Sequence, residues 1–325
     1  MASITSNLFE KIDLRFFSEI LPEQENTEKL YREVLQENNQ TTRSDSKINC
    51  HNFITLILLW VLHPEQGYKS ILNKCKLLLL SYSTDLLQVI GSITDAGLSK
   101  ARKRFSSFIL KKIWQSHVIV NYFKEHGVNL WNGMQVCAID GVYLTLNNAV
   151  KILKDFPARA GEKLPKMLAC VLYDVHSRVP LDIAFGNYHS DERGLLLKLI
   201  EKIGKNTLLL LDRGYPAVGL LHKLLLLNVH FIIRLPKTFN CKIIRKLANN
   251  DWIVEIYFNK ICKNNLQKYL SENEYRSRPE KIILRLVKVQ IKGFQPRFLI
   301  TSLLDNSWFL IYSRITSSFL PTVST

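Results

Sequence analysis

Asn206–Pro216, NTLLLLDRGYP, is the stretch that decides how the rest of the chain reads. Thr207 and four leucines, Leu208 to Leu211, form a run that is apolar on both faces, and Asp212-Arg213-Gly214 with Tyr215-Pro216 turns the chain at its end. A short apolar run bounded by turn residues has the pattern of a parallel strand buried on both sides. A carboxylate at the carboxyl end of such a strand faces the crevice where open α/β sheets bind ligands. Upstream, Gln135-Val136-Cys137-Ala138-Ile139 closes in the same way on Asp140-Gly141, and the alternating Val142-Tyr143-Leu144-Thr145-Leu146 follows.

Working outward, Gln135 to Leu146 reads as one strand, or as a strand kinked at Gly141. Met167–Tyr173, the turn Asp174–Arg178 and Leu181–Phe185 complete an antiparallel meander. Ser190-Asp191-Glu192 opens a helix through Ile203, with early acids suited to the helix dipole. After the strand Thr207–Leu211 come a helix, Ala217–Leu227, and a strand, Val229–Leu235. Three strands, a crossover helix, then a strand, a helix and a strand is the order of a ribonuclease H-like sheet. The expected fold class is therefore α/β, a mixed sheet flanked by helices. In that order the first and fourth strands are neighbours, which sets Asp140 beside Asp212.

The flanks differ in composition. Residues 1–48 hold six Lys/Arg against nine Asp/Glu and form an acidic leader, with a surface helix expected over Glu25–Glu37. Residues 49–130 read as a helical, basic domain: Cys50–Leu62 is a buried helix or helix pair stopped by His63-Pro64, and Leu77–Leu87 is leucine-rich. A helix capped by Thr94 or Asp95 is expected to run to Lys112, with Leu98, Arg102, Phe105 and Ile109 at helical spacing. Residues 131–235 are the core, 236–305 a mostly β insertion (Trp252–Phe258, Lys281–Gln290, Arg297–Thr301), and 306–325 a Ser- and Thr-rich tail without periodicity.

Net charge is +16 over 325 residues, and since the leader is acidic the body of the chain carries all of the excess. Such a balance favours a polyanionic partner, nucleic acid before anionic membrane. Lys100, Arg102, Lys103 and Arg104 on the helix before Lys112 suit phosphate contact, or equally a solvated basic face. The six cysteines are scattered without a CxxC pair, so a zinc site is not expected. The longest apolar run, Phe53–Leu62, is ten residues, short of the roughly 18 a membrane span needs. A cytoplasmic protein without a membrane partner is the expectation.

Two carboxylates close together repel unless a cation lies between them. Oxygen ligands suit Mg²⁺ or Mn²⁺, and two such ions roughly 3.5–4 Å apart can clamp an in-line phosphoryl displacement. Asp140 and Asp212 are the candidate metal ligands and catalytic acids. Each also has a plainer reading: Asp140-Gly141 as a hairpin turn, Asp212-Arg213-Gly214 as a strand-to-helix turn. Asp174 reads as a turn former and Glu192 as a helix-start acid.

Taken together, ITDAGLSKARKRF (93–105), AIDGVYLTL (138–146), DVHSRVPLDIAFGNYHSDER (174–193), LLLDRGYP (209–216) and HFIIRLP (230–236) resemble bacterial insertion-sequence transposases of the D-D-E class. They are most similar to the branch with a β insertion between the second Asp and the Glu. The resemblance implies a ribonuclease H-like catalytic domain, Mg²⁺ or Mn²⁺, and cut-and-paste strand transfer on double-stranded DNA, both transposon ends and target. It implies Asp140 as first acid, Asp212 as second, and Arg213 as a DNA contact; a homodimer is a candidate assembly. The third acid of that family lies in a Tyr-x-x-Arg-x-x-x-Glu-x-x-x-x-x-x-Lys helix soon after a Thr-x-Leu-x-Asp strand end. Thr301-Ser302-Leu303-Leu304-Asp305 matches the strand end, but Ile315 follows Tyr312 where Arg is wanted, and no Glu occurs after Glu280. Tyr275-Arg276-Ser277-Arg278 mimics the first half, yet Ile282 holds the Glu position and Pro279 opposes a helix. The expectation is a truncated or frameshifted transposase with little strand-transfer activity. The alternatives are an inactive DNA-binding remnant that inhibits an intact sibling, and a stand-alone ribonuclease H-like nuclease using Glu192 or Asp174 as third ligand.

Overall fold

A computed structural model describes residues 21–38, 48–62, 69–70, 72–73, 93–158, 161–200, 203–236, 238–258, 261–290 and 295–305. The chain divides into two compact units, residues 1–127 and 128–325.

In the first unit the helices are α1 (Gln24–Glu37), α2 (Cys50–Leu62), α3 (Asp95–Arg104), α4 (Phe108–Ile113) and α5 (Ile119–His126), the last two joined by a π-helical turn over Trp114–Val118. The helix expected on the surface over 25–37 turns Tyr31, Val34 and Leu35 into a core shared with Cys50, Ile54 and Leu98. Glu28 fixes the pairing from α1, because its carboxylate accepts the amides of Cys50 and His51 at 2.6 and 3.2 Å, donors that a helix start leaves unpaired. The leucine-rich stretch 77–87 lies outside the described residues.

One helix was expected from residue 95 to 112, and there are two. Thr94 caps the first through its hydroxyl on the Gly97 amide. Phe105 then leaves the helix in extended conformation (φ −74°, ψ 132°) and stacks on Phe53, with ring centroids 4.5 Å apart and Tyr31 at 5.0 Å. Packing that partly buried ring on the core offsets the break in the helix, since an aromatic pair adds about 0.5–1.5 kcal/mol beyond the area it buries.

In the second unit the strands are β1 (Leu130–Trp131), β2 (Met134–Thr145), β3 (Lys166–Asp174), β4 (Val179–Asn187), β5 (Thr207–Leu211), β6 (His230–Arg234), β7 (Lys242–Ala248), β8 (Asp251–Tyr257), β9 (Lys281–Val289) and β10 (Arg297–Thr301). Its helices are α6 (Val150–Asp155), α7 (Glu192–Ile200), α8 (Val218–Leu226), α9 (Lys263–Gln267) and α10 (Glu272–Arg276). All ten strands join one sheet in the order β4-β3-β2-β5-β6-β10-β9-β8-β7, with β1 beside β2. Its first five strands have the ribonuclease H-like order: antiparallel β4-β3-β2, then β5 and β6 parallel to β2. The expected β insertion continues this sheet, because β10 returns antiparallel to β6. The edge strand β7 was not expected; its exposed, basic KIIRKLA has no alternating apolar face.

β5 is buried at every residue, as its unbroken apolar run requires. Alternate residues feed two cores. Cys137, Ile139, Leu209 and Leu211 face the side packed by Leu195, Leu196 and Leu199 of α7 and Leu220, Leu221 and Leu224 of α8. Val136, Leu208, Leu210, Ile232 and Leu299 face the opposite side, together with Leu303.

Candidate active site

Asp140 lies within β2, a single continuous strand, so the hairpin-turn reading of Asp140-Gly141 and the alternative of a kink are both corrected. Up to Ile139 the strand is mostly buried, and from Asp140 it emerges from the core with Val142, Tyr143 and Leu144 exposed. The parallel ladder pairs Ala138 with Leu210, so Asp140 and Asp212 stand at the same level, two residues further along neighbouring strands. Adjacent strands lie about 4.8 Å apart. Side chains alternate along a strand; Asp140 therefore leaves the sheet on the face of Val136 and Ala138, and Asp212 continues the row of Leu208 and Leu210. Both are exposed. Asp140 Oδ1 accepts its neighbour's amide, from Gly141, at 2.9 Å. Asp212 begins a tight turn in which the Tyr215 amide donates to its carbonyl oxygen at 3.1 Å.

Arg234 ends β6 as Asp212 follows β5, and its Nη1 lies 3.5 Å from Asp212 Oδ1. Arg297, at the start of β10, is close enough that burial and then the Arg234 guanidinium hold its pKa down, while Asp212 holds it up. Sequence reading gave neither arginine a role. For Arg234 the signal was present in HFIIRLP, an apolar run that closes on a charged residue as the two aspartate strands do.

Glu192 arrives from the other side. Asp191 caps α7 by accepting the Gly194 amide at 2.6 Å, and Glu192 is the first helical residue, as its helix-start reading requires. Its side chain also lies flat against Gly141: a Cβ built there would stand 2.6 Å from Glu192 Oε1, and one on Gly214 would stand 3.8 Å from Oε2. Only a residue without a side chain lets the carboxylate approach the strand this closely. Arg193 ties the same helix start to the turn after Asp212, donating from Nε to the Gly214 carbonyl at 2.8 Å. Burial first, then Asp140 and more weakly Asp212, raise the Glu192 carboxyl above its ordinary range; the Tyr215 hydroxyl and Arg193 act against the rise. Tyr215 itself is buried with its hydroxyl 3.8 Å from Cys170 Sγ.

Because the folded state holds Glu192 above its unfolded pKa, ionising it costs stability above the raised value, and the cost vanishes as pH falls through that value to the ordinary carboxylate range. Glu192→Gln is expected to melt higher than the parent at pH 7 and to lose that advantage in acid, a difference that thermal melts at the two pH values measure.

Asp174 is not near this cluster. It pairs across from Cys137, is buried, and accepts Gln135 Nε2 at 2.7 Å, the Ser177 amide at 2.7 Å and its hydroxyl at 2.6 Å. Its oxygens shape the β3–β4 turn. Among the described residues no group of three His, Cys, Asp or Glu side chains is arranged to hold a metal ion. The two aspartates and Glu192 reach the strand tips from opposite faces, which accounts for this.

Of the basic residues, Lys100 and Lys103 on α3 are exposed, Arg102 lies over the Trp60 ring at 5.3 Å, and Arg213 is exposed beside Asp212. Arg104 is half-buried, donating to the Ile48 carbonyl at 3.0 Å with its guanidinium over Phe105. Tyr275-Arg276 ends α10, and Ile282 is buried in β9, so neither supplies a third acid. Residues 306–325 lie outside the described residues. No helix among the described residues is long and apolar enough to cross a membrane.

Residues 131–313 match the family described as the transposase DDE domain. The chain is 32% identical over 133 residues to the transposase InsG for insertion sequence element IS4 of Escherichia coli (strain K12). That match covers 39% of this chain and 30% of the relative's length, so the chain spans less than a third of it. A cryo-EM structure of the piggyBac transposase synaptic complex with hairpin DNA overlays at a TM-score of 0.38 and 9% identity, over 94% of this chain and 66% of that one. Endonuclease V from Bacillus subtilis overlays at 0.25 and 12% identity, over 60% and 76%. Both overlays are too loose to bear on the fold or the site. The family match extends over more than half of the chain and contains both aspartate-bearing strands: the chain belongs to the transposase DDE domain family.

Proposed function

We propose that this chain binds double-stranded DNA and cleaves its phosphodiester backbone as the catalytic part of an insertion-sequence transposase. The observation that carries the reading is the register of Asp140 with Asp212, two exposed carboxylates at one level of adjacent parallel strands. Such oxygen donors fit Mg²⁺ or Mn²⁺, hard cations that keep several waters and accept one or two carboxylates. A divalent ion held there would polarise a phosphoryl oxygen and activate the attacking water or 3′-hydroxyl. Asp140 and Asp212 provide the negative charge for it, and Arg213 stands next to the same tip to meet a DNA phosphate. Lys100, Arg102 and Lys103, exposed, and the half-buried Arg104 add cationic surface on α3. Transposon ends and target are the DNA substrates, a homodimer the assembly, the cytoplasm the location.

Glu192 favours a second reading, a stand-alone nuclease in which it is the third acid, because it is the further carboxylate whose charge couples to both aspartates. Its approach from the opposite face makes it a weaker ligand than the helix-borne Glu of the family pattern. Reduced strand transfer follows, with nicking as the residual activity.

The test incubates the full chain with duplex DNA and Mn²⁺. Nicked product is expected, with binding that falls steeply as salt rises, since each neutralised phosphate contributes a slope of about 0.9 in log K against log salt. Replacing Lys100 and Lys103 by Ala should lower that slope by about one for each lost contact. Binding without nicking would support the inactive remnant; absence of binding would remove the proposal.

A further inference from the structure

The turn that leaves β5 carries Asp212 and Arg213, yet its own side chains do little to fix it. Asp212 and Arg213 are exposed, and Gly214 has no side chain to pack. Leu211 before the turn and Tyr215 after it are buried, which anchors the two ends. The middle is held from outside, by Arg193 in the first turn of α7. This half-buried guanidinium donates from Nε to the Gly214 carbonyl at 2.8 Å and from Nη1 to the Tyr269 hydroxyl at 3.3 Å. Tyr269 follows α9 in the β insertion, and its amide donates to the Leu266 carbonyl at 3.0 Å. It lies directly on α8: a Cβ built on Gly219 would stand 2.8 Å from Tyr269 Cδ2 and 3.2 Å from the Leu266 carbonyl oxygen. Close packing of α9 on α8 therefore sets where the hydroxyl meets Arg193.

The turn stands among like charges. Asp140 is level with Asp212 on the neighbouring strand. Glu192 lies against Gly141, and its Oε2 would be 3.8 Å from a Cβ on Gly214. Carboxylates gathered in this way repel, and a glycine turn relieves the repulsion by swinging outward. The bond from Arg193 to the Gly214 carbonyl opposes that movement, and its guanidinium, next in sequence to Glu192, adds a compensating positive charge. Resting on the reading of Asp140 and Asp212 as divalent-ion ligands, we propose that Arg193 is a positioning residue: it holds the Asp212 turn in its ion-binding arrangement before an ion arrives, and Tyr269 holds the guanidinium in place. Arg193 acts through the Gly214 backbone and touches neither phosphate nor ion. A ligand set ordered beforehand loses less binding free energy to ordering, so the effect falls on ion affinity. The β insertion reaches the site through one tyrosine hydroxyl.

The experiment titrates the full chain with Mn²⁺ and follows its melting temperature, a readout that requires no turnover. The quantity compared is the Mn²⁺ concentration that gives a fixed rise over each protein's own metal-free melt, which scales with the dissociation constant of the ion. Arg193→Ala is expected to raise that concentration roughly tenfold, as loss of a hydrogen bond from a charged donor does. Arg193→Lys should recover most of the loss, because the ammonium keeps the charge and a donor for the Gly214 carbonyl. Tyr269→Phe should raise the concentration about threefold in the parent and leave it unchanged in the Arg193→Ala background, since the hydroxyl acts through the guanidinium. Metal-free binding of a labelled duplex, followed by anisotropy over a range of salt, should keep the parent's slope in Arg193→Ala. A lower metal-free melt with an unchanged Mn²⁺ requirement would make Arg193 a merely structural residue and overturn the proposal. A salt slope lowered by about one would mark a phosphate contact and overturn it equally. A Tyr269→Phe effect that persists without Arg193 would overturn the role given to Tyr269. If the parent responds to Mn²⁺ and every variant matches it, this proposal alone fails; if the parent does not respond, the reading of the aspartates fails and this proposal with it.

Discussion

Asp140→Asn is expected to melt at or above the temperature of the parent chain in the absence of divalent metal, and below it when Mn²⁺ is added. The inversion follows from the charges at the strand tips. Without metal, Asp140 adds to the repulsion that raises the Glu192 carboxyl, and its neutral amide removes that contribution. With metal, the parent gains the free energy of an ion bound by the native state and not by the unfolded one, about 2.7 kcal/mol when the ion exceeds its Kd a hundredfold. For a chain above about 150 residues, each kcal/mol moves the melting temperature by roughly 2–4 °C, so a shift of several degrees separates the two proteins. Asp212→Asn should also lose the Mn²⁺ response but gain less stability in its absence, because Asp212 has the Arg234 guanidinium 3.5 Å away. Nicking should fall about a thousandfold or more in both, as it does when one essential member of a catalytic group is lost. If Mn²⁺ raised the melting temperature of both variants as much as of the parent, the aspartates would not be its ligands. A differential scan with and without Mn²⁺ reads all of these outcomes.

Much of the site's frame was legible before any coordinates because it rests on local pattern. Thr207–Leu211 is apolar on both faces, and no other element satisfies that run in five residues as well as a doubly covered strand. The order of the elements then made Asp140 and Asp212 neighbours. Less visible was everything that depends on a tertiary close approach. Glu192 has the sequence signature of a helix start and nothing more; its meeting with Gly141 depends on how α7 crosses β2. Arg297 is separated from Arg234 by the whole of β7, β8 and β9, and comes near only because β10 returns to β6. The break at Phe105 was hidden for a similar reason. Its spacing suits a continuing helix, but its ring finds Phe53, more than fifty residues earlier in the chain. A strand such as KIIRKLA could not be recognised from alternation, since at a sheet edge both faces are exposed.

Arg285→Met is expected to destabilise the second unit by about 3–5 kcal/mol, the cost of leaving one member of a buried ion pair alone. Arg285 on β9 is wholly buried and meets Asp251 at the start of β8 in a paired geometry, Nε to Oδ1 at 2.8 Å and Nη2 to Oδ2 at 2.5 Å. Its third nitrogen, Nη1, donates to the Asp305 carbonyl at 2.5 Å. One side chain therefore joins two strands to the segment that leaves β10. Asp251→Leu alone should cost a similar amount, because the guanidinium then remains buried without its carboxylate. The double variant, Arg285→Met with Asp251→Leu, should recover most of the loss, since an apolar pair of similar volume often equals or exceeds a buried salt bridge. Urea unfolding of the three variants measures this: near-additive losses, rather than recovery in the double, would show that the Asp305 contact and not the ion pair carries the stability. The consequence reaches the site through β10. Loosening of β9 frees the strand that positions Arg297, whereas Asp140 and Asp212 stand on β2 and β5, on the other side of β6. The Arg285→Met chain should therefore keep its Mn²⁺-induced rise in melting temperature.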